Sequence, residues 1–405
     1  MNITGIIAEY NPFHSGHAYH IQKAREISGA DYIVAVMSPD FVQRGEPAVF
    51  DKYTRTRAAL LGGADLVLEL PVLYACASAE YFALGAAALL DGLGAVDSLC
   101  FGSETPSLSL FLQSAKILEE EPEAYRRALQ KGLRQGLTYP QARAGALAGH
   151  IPDRFFSSPN NILGVEYCRA LRRLSSSIRP LPLQRLGSGY HDSSLKEGFC
   201  SATALRRGLA KGQSSQSLLP YVPEECRQIF SGACRHPVFP DDLMPWLTRQ
   251  LLIRTDFTDI FDVTADLSDR LVNLSCSLIG KSWAQTVAAV KTRQMTEARI
   301  RRVLLHILLN IRQDLADECR AQGPVFYARI LGFRKKAGPL LRQLKKSSRL
   351  PLLTKPAAAA GQLSGAGPDM LDLDFRVSHL YRSILTSRYG LPFKSEYQMG
   401  PLILP

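Results

Sequence analysis

The first 105 residues alternate regularly between segments typical of buried strands and segments typical of amphipathic helices. Strand-like apolar runs lie at residues 3–9, 32–37, 65–70 and 96–101, and helical patterns rich in Ala and Leu separate them at 17–28, 51–61 and 78–90. This spacing predicts right-handed crossovers that join the strands of a parallel sheet. We therefore expect an α/β fold with a Rossmann-like, doubly wound sheet and a ligand at the carboxyl ends of its strands.

From residue 220 onward the pattern is mainly helical. Proline-containing loops at 221–225 and 236–245 precede helical patterns at 246–255, 258–274, 283–289, 297–315 and 338–344. The pattern at 297–315 has a single apolar stripe, and Thr296 is expected to cap this helix. A short apolar run at 401–405 is expected to pack back on the body. A chain of 405 residues with 46% hydrophobic residues is long enough for more than one domain. We expect two regions, 1–220 with the sheet and 221–405 mainly helical.

Positive charge is concentrated in the second region. The chain has a formal net charge of +11, and residues 291–349 contain fifteen Lys or Arg against four Asp or Glu, an excess as large as that of the whole chain. A basic segment attached to a nearly neutral one suggests a polyanionic partner such as RNA. A solvated basic face is the alternative that composition leaves open.

Composition also disfavours several classes of protein. No run of eighteen apolar residues is present, and the first residues enter a strand-like run directly, so we expect neither membrane insertion nor secretion. The eight cysteines show no C-x-x-C pair and no zinc-ligand spacing. We expect them to be buried free thiols of a cytoplasmic protein.

The segment at residues 11–20, N-P-F-H-S-G-H-A-Y-H, joins the first strand to the first helix. A helix that begins near Gly16 presents unpaired backbone N–H groups and the positive end of its dipole, which together stabilise a phosphate. Gly16 lets a nucleotide lie against the backbone, and His14 and His17 can donate hydrogen bonds to oxygens that gain charge at phosphorus. Two alternatives stay open, namely that the imidazoles bind a metal or only cap the helix.

A further strand-like run at 181–186 precedes a second candidate phosphate site at residues 201–207, S-A-T-A-L-R-R. Ser201 or Thr203 can cap a helix there, with Arg206 on its first turns. A capped helix that happens to carry an arginine is the alternative. After the second strand, the polar stretch 43–55 is either a solvated loop or a contact for RNA or pyrophosphate through Arg44 or Lys52.

These motifs resemble those of known enzymes. H-S-G-H is similar to the H-x-G-H signature of nucleotidyltransferases and class I aminoacyl-tRNA synthetases, and S-A-T-A-L-R is similar to the S-x-T-x-I-R signature of small adenylyltransferases. Longer matches along the whole chain resemble the bacterial tRNA(Met) cytidine acetate ligase family. They are I-I-A-E-Y-N-P-F-H-S-G-H at 6–17, Q-R-G-E-P-A at 43–48, D-L-V-L-E-L-P at 65–71, F-G-S-E at 101–104, S-P-N-N-I-L-G at 158–164 and G-Y-H at 189–191. The K-M-S-K-S loop of the synthetases is missing from the sequence.

The resemblance implies an enzyme with ATP and acetate as substrates and elongator methionine tRNA as partner. Acetate would be activated to acetyl-adenylate, with Mg²⁺ expected on the ATP phosphates, and the acetyl group would pass to the N4 amine of the wobble cytidine. An aromatic exocyclic amine is a poor nucleophile, so a mixed anhydride suits this chemistry. The alternatives are a metabolite adenylyltransferase, which would need no basic helical region, and a non-catalytic tRNA-binding protein.

The resemblance also implies site residues. His14 and His17 are the expected catalytic pair at the α-phosphate, Ser201 and Arg206 the candidates for the β- and γ-phosphates, and no metal ligand is expected. The tRNA contacts are expected at Arg334, Lys335 and Lys336. The expected ATP contacts are Ile7, Ala8, Glu9, Tyr10, Asn11, Pro12, Phe13, His14, Ser15, Gly16, His17, Ala18, Tyr19, His20, Gly102, Asn160, Asn161 and Arg185.

Overall fold

A central, mostly parallel sheet organises the computed structural model, which describes residues 1–185, 200–355 and 361–405. Its strands, with one small hairpin (β3 and β4), are β1 Ile3–Ala8, β2 Tyr32–Met37, β3 Phe41–Val42, β4 Glu46–Pro47, β5 Leu66–Glu69, β6 Ser98–Ser103, β7 Arg179–Gln184, β8 Ala328–Arg334, β9 Leu352–Leu353 and β10 Leu402–Leu404. The sheet order is β10-β8-β5-β2-β1-β6-β7, with β9 also beside β8.

Helices cover both faces of this sheet. The first region contributes α1 Ser15–Ser28, α2 Lys52–Leu61, α3 Val72–Ala75, α4 Ala79–Gly92, α5 Leu108–Glu120, α6 Glu123–Arg134, α7 Tyr139–Leu147, α8 Pro159–Arg173, α9 Ala202–Ala210 and α10 Ser215–Leu218. The second contributes α11 Arg227–Ala233, α12 Met244–Ile253, α13 Ala265–Leu274, α14 Trp283–Val290, α15 Glu297–Leu309, α16 Gln313–Gln322, α17 Gly338–Ser347 and α18 Gly367–Tyr389.

The parallel strands are apolar because the helices bury both of their faces. In β2, Val34 and Val36 pack into one hydrophobic core, whereas Ile33 and Ala35 pack into the other, on the opposite face. β1 pairs in parallel with β2 and β6, and the pairing continues outward to β5 and β7. The predicted α/β, doubly wound sheet is therefore confirmed, and the carboxyl ends of five strands meet at one edge.

Three strands of the sheet, β8, β9 and β10, were not predicted as strands. β8 runs antiparallel to β5, with Phe333 opposite Leu66, and it carries β9 and β10 in parallel at its other side. The apolar C-terminal run therefore does pack against the body, as β10. The division at residue 220 stays a prediction, and the sheet itself takes strands from both sides of it. Among the described residues, no helix is both long and apolar enough to cross a membrane.

The helical region also contains a break that the sequence pattern did not reveal. The apolar stripe predicted one helix over 297–315, but α15 ends at Leu309 and α16 begins at Gln313. Asn310 adopts a left-handed conformation with a φ of 53°. Asn tolerates this conformation better than most residues, so it ends α15 there. Thr296 caps the same helix, as its sequence predicts, by accepting a hydrogen bond from the Arg299 N–H.

A buried cluster of charges ties α2 to the C-terminal segments. Lys52 is fully buried, and its ammonium lies 2.6 Å from Glu69 on β5 and 3.0 Å from Glu396. Arg329 on β8 lies 2.9 Å from Glu69 and 2.5 Å from Glu396. The hypothesis that Lys52 meets RNA or pyrophosphate is therefore wrong, because its charge is already paired inside the protein.

Candidate functional site

A cavity of about 240 Å³ opens at the carboxyl ends of β1, β6 and β7. The end of β1, the first turns of α1 and α9, and the β3–β4 turn form its polar walls. Four side chains from α4, β6 and α8 add an apolar wall, namely Phe82, Phe101, Leu163 and Tyr167. The location agrees with the expectation for a doubly wound sheet, in which ligands bind at this edge.

His14 and His17 are locked together at the start of α1. His14 is the N-cap residue, and its Nδ1 accepts a hydrogen bond from the Gly16 N–H at 3.0 Å. His17 Nδ1 in turn accepts from the His14 N–H at 3.3 Å, and the two ring centroids lie 3.8 Å apart. Because each Nδ1 accepts a hydrogen bond, each neutral ring carries its proton on Nε2. The arrangement is a reciprocal cap that leaves two Nε2–H donors.

Burial and positive charge keep these imidazoles neutral. Burial, with smaller effects of Arg185 and Arg206, lowers the pKa of His14 to about 3. Burial, His14 and Arg185 hold the pKa of His17 well below its usual value. Both residues are therefore uncharged donors at neutral pH, a form in which they can stabilise negative charge without moving a proton.

Arg206 on α9 connects three parts of the site. Its Nη1 donates to the Asn11 carbonyl at 2.7 Å, and its Nη2 lies 3.1 Å from Glu46 on β4. Ser201 caps α9 and accepts from the Ala204 N–H at 3.1 Å. The cavity is lined by Ser201 and Arg206 together, so the predicted second phosphate site and the histidine turn belong to one pocket.

Arg185 closes the site from the end of β7. Its side chain packs on Gly102, where a Cβ atom would lie 3.0 Å from Arg185 Cγ. Arg185 Nε lies 3.6 Å from Glu104, so this guanidinium is held between β6 and β7. A larger residue at 102 would displace Arg185, which explains why a glycine suits that position.

The structure distinguishes between the two adjacent asparagines. Asn161 is fully buried, and its Oδ1 accepts from Ser103 Oγ at 2.7 Å while its Nδ2 donates to the Phe155 carbonyl at 3.0 Å. Asn160 lines the cavity and donates to Glu104 at 2.5 Å. Asn161 therefore braces the loop, and of the two only Asn160 can contact a ligand in the cavity.

Comparison with known proteins identifies the family. A family model described as HIGH Nucleotidyl Transferase matches residues 1–392. A tRNA(Met) cytidine acetate ligase from Acetivibrio thermocellus is 40% identical over 396 residues, covering 94% of this chain and 94% of the relative. One from Clostridium tetani is 38% identical over 370 residues, covering 88% of this chain and 90% of the relative. The chain belongs to the tRNA(Met) cytidine acetate ligase family.

Two crystal structures of a similar protein agree with this assignment to the ligase family. Apo Thermotoga maritima TmcAL superimposes with a TM-score of 0.93 at 31% identity, and the match covers 100% of both chains. The same protein bound with alpha-thio ATP superimposes with a TM-score of 0.91 at 30% identity, again over 100% of both chains.

Most predicted site residues of this ligase family member do meet in the cavity. Those that line it are Ile7, Ala8, Glu9, Tyr10, Asn11, His14, Gly16, His17, Tyr19, His20, Gly102, Asn160, Arg185, Ser201 and Arg206. Pro12, Phe13, Ser15, Ala18 and Asn161 are not among the lining residues. The G-Y-H motif at 189–191 lies outside the described residues.

Sequence reasoning missed the apolar wall. Leu163 lies three residues after Asn160, and Tyr167 lies four residues after Leu163, which places all three on one face of α8. Once Asn160 had been identified as a candidate contact, this helical spacing could have predicted that Leu163 and Tyr167 also face the cavity. Phe82 and Phe101 gave no such signal, because each sits in an ordinary apolar run of the core.

The predicted tRNA contacts lie far from the cavity. Arg334 ends β8 next to Asp65, at the amino end of β5, since its N–H donates to the Asp65 carbonyl at 3.0 Å. Lys336 lies 3.1 Å from the Asp65 carboxylate. Because β8 is antiparallel to β5, the Arg334–Lys335–Lys336 group occupies the end of the sheet opposite the histidine turn.

Proposed function

We propose that the chain is an ATP-dependent tRNA(Met) cytidine acetate ligase. Acetate attacks the α-phosphorus of ATP to give acetyl-adenylate and pyrophosphate, and the N4 amine of the wobble cytidine of elongator methionine tRNA then takes the acetyl group as AMP leaves. The observation that carries the proposal is the reciprocally capped pair His14 and His17 in the cavity. The names of the relatives support the choice of substrates.

The two histidines stabilise the α-phosphate as acetate attacks. Their Nε2–H groups donate to the non-bridging oxygens, whose negative charge grows in the transition state. Neutral rings suit this role, because their Nε2–H donors are already oriented before the reaction and no proton has to be transferred. The N-terminus of α1, with Gly16 beside the ligand, adds backbone N–H groups.

The leaving pyrophosphate is bound at the start of α9. Arg206 supplies a guanidinium there, and Ser201 marks the helix N-terminus, so the two can hold β- and γ-phosphates without a K-M-S-K-S loop. Adenosine passes along Gly102, with Asn160 and Arg185 as polar contacts. Magnesium would arrive on the ATP phosphates as part of the substrate, since this ion is usually held by substrate phosphates with only one or two carboxylates.

The proposal is tested by acetate-dependent exchange of labelled pyrophosphate into ATP. The wild type is expected to catalyse this exchange, and His14→Ala and His17→Ala are each expected to reduce it by about 100-fold to 1,000-fold, the usual effect of removing one such donor. Both variants are expected to keep salt-sensitive tRNA binding. Mass analysis of tRNA incubated with ATP and labelled acetate identifies the product as N4-acetylcytidine.

The same experiments separate the alternatives. A metabolite adenylyltransferase would exchange pyrophosphate only with another cosubstrate and would leave tRNA unlabelled. A non-catalytic tRNA-binding protein would bind tRNA without any acetate-dependent exchange. If the wild type gives no exchange with acetate, the proposed activity is wrong.

A further inference from the structure

The acetyl-transfer step presents a chemical demand that the histidine pair does not meet. When the cytidine N4 lone pair attacks the acetyl carbonyl, the amine must lose a proton as the new C–N bond forms. His14 and His17 cannot take it at Nδ1, because both Nδ1 atoms already accept backbone N–H groups. Their Nε2 atoms carry protons of their own, so the pair can only donate.

Glu9 is the one carboxylate among the described residues that line the cavity. It follows β1 directly and is only partly buried, so its side chain borders the cavity. Its Oε1 accepts from the Gln43 N–H at 3.0 Å. No hydrogen bond or ion pair to its Oε2 is present in the described part of the chain, which leaves that oxygen able to accept a proton.

The nearby acids and His20 are less suited to this task. Glu104 is engaged by Ser158, Asn160 and Arg185 and is not among the lining residues. The carboxylate of Glu46 is paired with Arg206. Burial and Arg185 lower the pKa of His20 to about 4, which makes its imidazole a weak base.

We propose that Glu9 is the general base of the acetyl-transfer step, an inference that rests on the proposed function. Glu9 Oε2 accepts one proton from the N4 amine as nitrogen bonds to the acetyl carbon. The bond between that carbon and the AMP oxygen breaks, and AMP leaves as the phosphate anion. Glu9 then returns its proton to solvent, so each turnover restores the carboxylate.

The surroundings of Glu9 support this role. Burial raises its pKa, which makes the carboxylate a stronger base, while Arg44 and Arg206 act to lower that pKa. Charged and titratable groups face it from several elements, namely Arg44, Glu46, Arg55, Cys76, Tyr167 and Arg206. Of these, Arg55 donates to the Glu9 main-chain carbonyl at 2.7 Å and fixes the backbone.

The test compares the two half-reactions in Glu9→Gln, which keeps the shape of the side chain but cannot accept the proton. Transfer of labelled acetyl to tRNA, measured in a single turnover, is expected to fall by about 100-fold or more, the usual contribution of a general base. Glu9 is also one of the expected ATP contacts, so acetate-dependent pyrophosphate exchange is measured at saturating ATP, where it is expected to fall by a much smaller factor than transfer because the histidine pair is untouched. Glu26→Gln, an exposed change near the end of α1, is the matched control and is expected to transfer normally.

Two further readouts distinguish a base from a structural residue. Hydroxylamine is a strong nucleophile that needs no base, so acetohydroxamate formation from acetate and ATP is expected to fall in Glu9→Gln by no more than pyrophosphate exchange does. The transfer rate of the wild type is expected to fall at acid pH as Glu9 becomes protonated. This fall, the acid limb of the pH profile, is expected to be absent from the variant.

Three outcomes would overturn the assignment. Normal transfer in Glu9→Gln would show that no base is needed there. Equal losses in exchange, hydroxamate formation and transfer would place Glu9 in acetate activation instead. An unchanged acid limb would mean that another group takes the proton. The absence of exchange in the wild type would instead contradict the proposed function itself.

Discussion

Replacing Lys52 by Met tests the view that its charge serves stability rather than substrate binding. The ammonium lies 2.6 Å from Glu69, 3.0 Å from Glu396 and 2.7 Å from Ser378 Oγ, and neither ion pair is exposed to solvent. Burial acts to lower the pKa of Lys52, but Glu69 and Glu396 outweigh it and raise that pKa, so the group stays charged. Met fills a similar volume without the charge.

The stability that Lys52→Met is expected to lose depends on which cations still contact Glu69 and Glu396. Without the ammonium, Glu69 retains Arg329 at 2.9 Å, and Glu396 retains Arg329 at 2.5 Å and Arg382 at 3.2 Å. Breaking a buried pair usually costs about 3–5 kcal/mol, because a charge is left uncompensated. Since neither carboxylate is left alone, we expect the lower end, about 3 kcal/mol.

Urea denaturation measures this cost as the shift in midpoint multiplied by the slope of the transition. Lys23→Met is the matched control, because Lys23 pairs with Glu26 on the exposed face of α1 and is expected to leave the midpoint unchanged. A loss of less than about 1 kcal/mol in Lys52→Met with an unchanged slope would refute the reasoning. It would mean that the cluster contributes little beyond what apolar packing provides.

Three other perturbations test separate features. Gly45→Ala is expected to cost about 1–3 kcal/mol more stability than Gly212→Ala, although both glycines have a φ of +73°. A Cβ atom at 45 would lie 2.5 Å from the backbone C of Arg301 and the backbone N of Arg302, whereas nothing lies within 4 Å of one at 212. Equal midpoints in urea would contradict this packing. Burial, followed by Glu69, raises the pKa of Asp374 to about 7. Its folded state therefore binds a proton that the unfolded state releases, and the wild type is expected to lose stability relative to Asp374→Asn as pH rises from about 4 to 7; parallel pH profiles would exclude the effect. Charge reversal at residues 334–336 tests the predicted tRNA contacts: loss of tRNA acetylation with normal pyrophosphate exchange would support them, and unchanged acetylation would mean that tRNA binds elsewhere.

The alternation of apolar runs and helical segments in the sequence was sufficient to predict the strands and helices around the histidine turn. β2 has the predicted bounds, and the first five parallel strands differ from the predicted ones by a few residues at most, because apolar runs and their helical spacers are local properties of the chain. The strand predicted at 181–186 lies at Arg179–Gln184, and its predicted last residue falls outside the described residues. Ser201 as the cap of α9 and Thr296 as the cap of α15 were equally local, since capping involves residues three apart.

Within the site, the sequence by itself determined which residue types meet at the strand ends. Glycine and two histidines after a buried strand predict a phosphate-binding turn from the geometry of a helix N-terminus, and that prediction needs no distant contact. The choice between Asn160 and Asn161 was different. It depended on which side chain faced Ser103 and Phe155, and therefore on how α8 packs against β6.

Only the tertiary structure decided the position of the basic residues and of Lys52. On the side away from β2, β5 pairs with β8, which lies more than 250 residues later in the chain. Antiparallel pairing over such a separation leaves no signal in the local sequence. That pairing carries Arg334, Lys335 and Lys336 to the end of the sheet away from the histidines. It also places Arg329 beside Glu69 and so completes the charge cluster around Lys52. Burial of a charge depends on partners brought together by the fold, which is why the sequence alone suggested an exposed lysine.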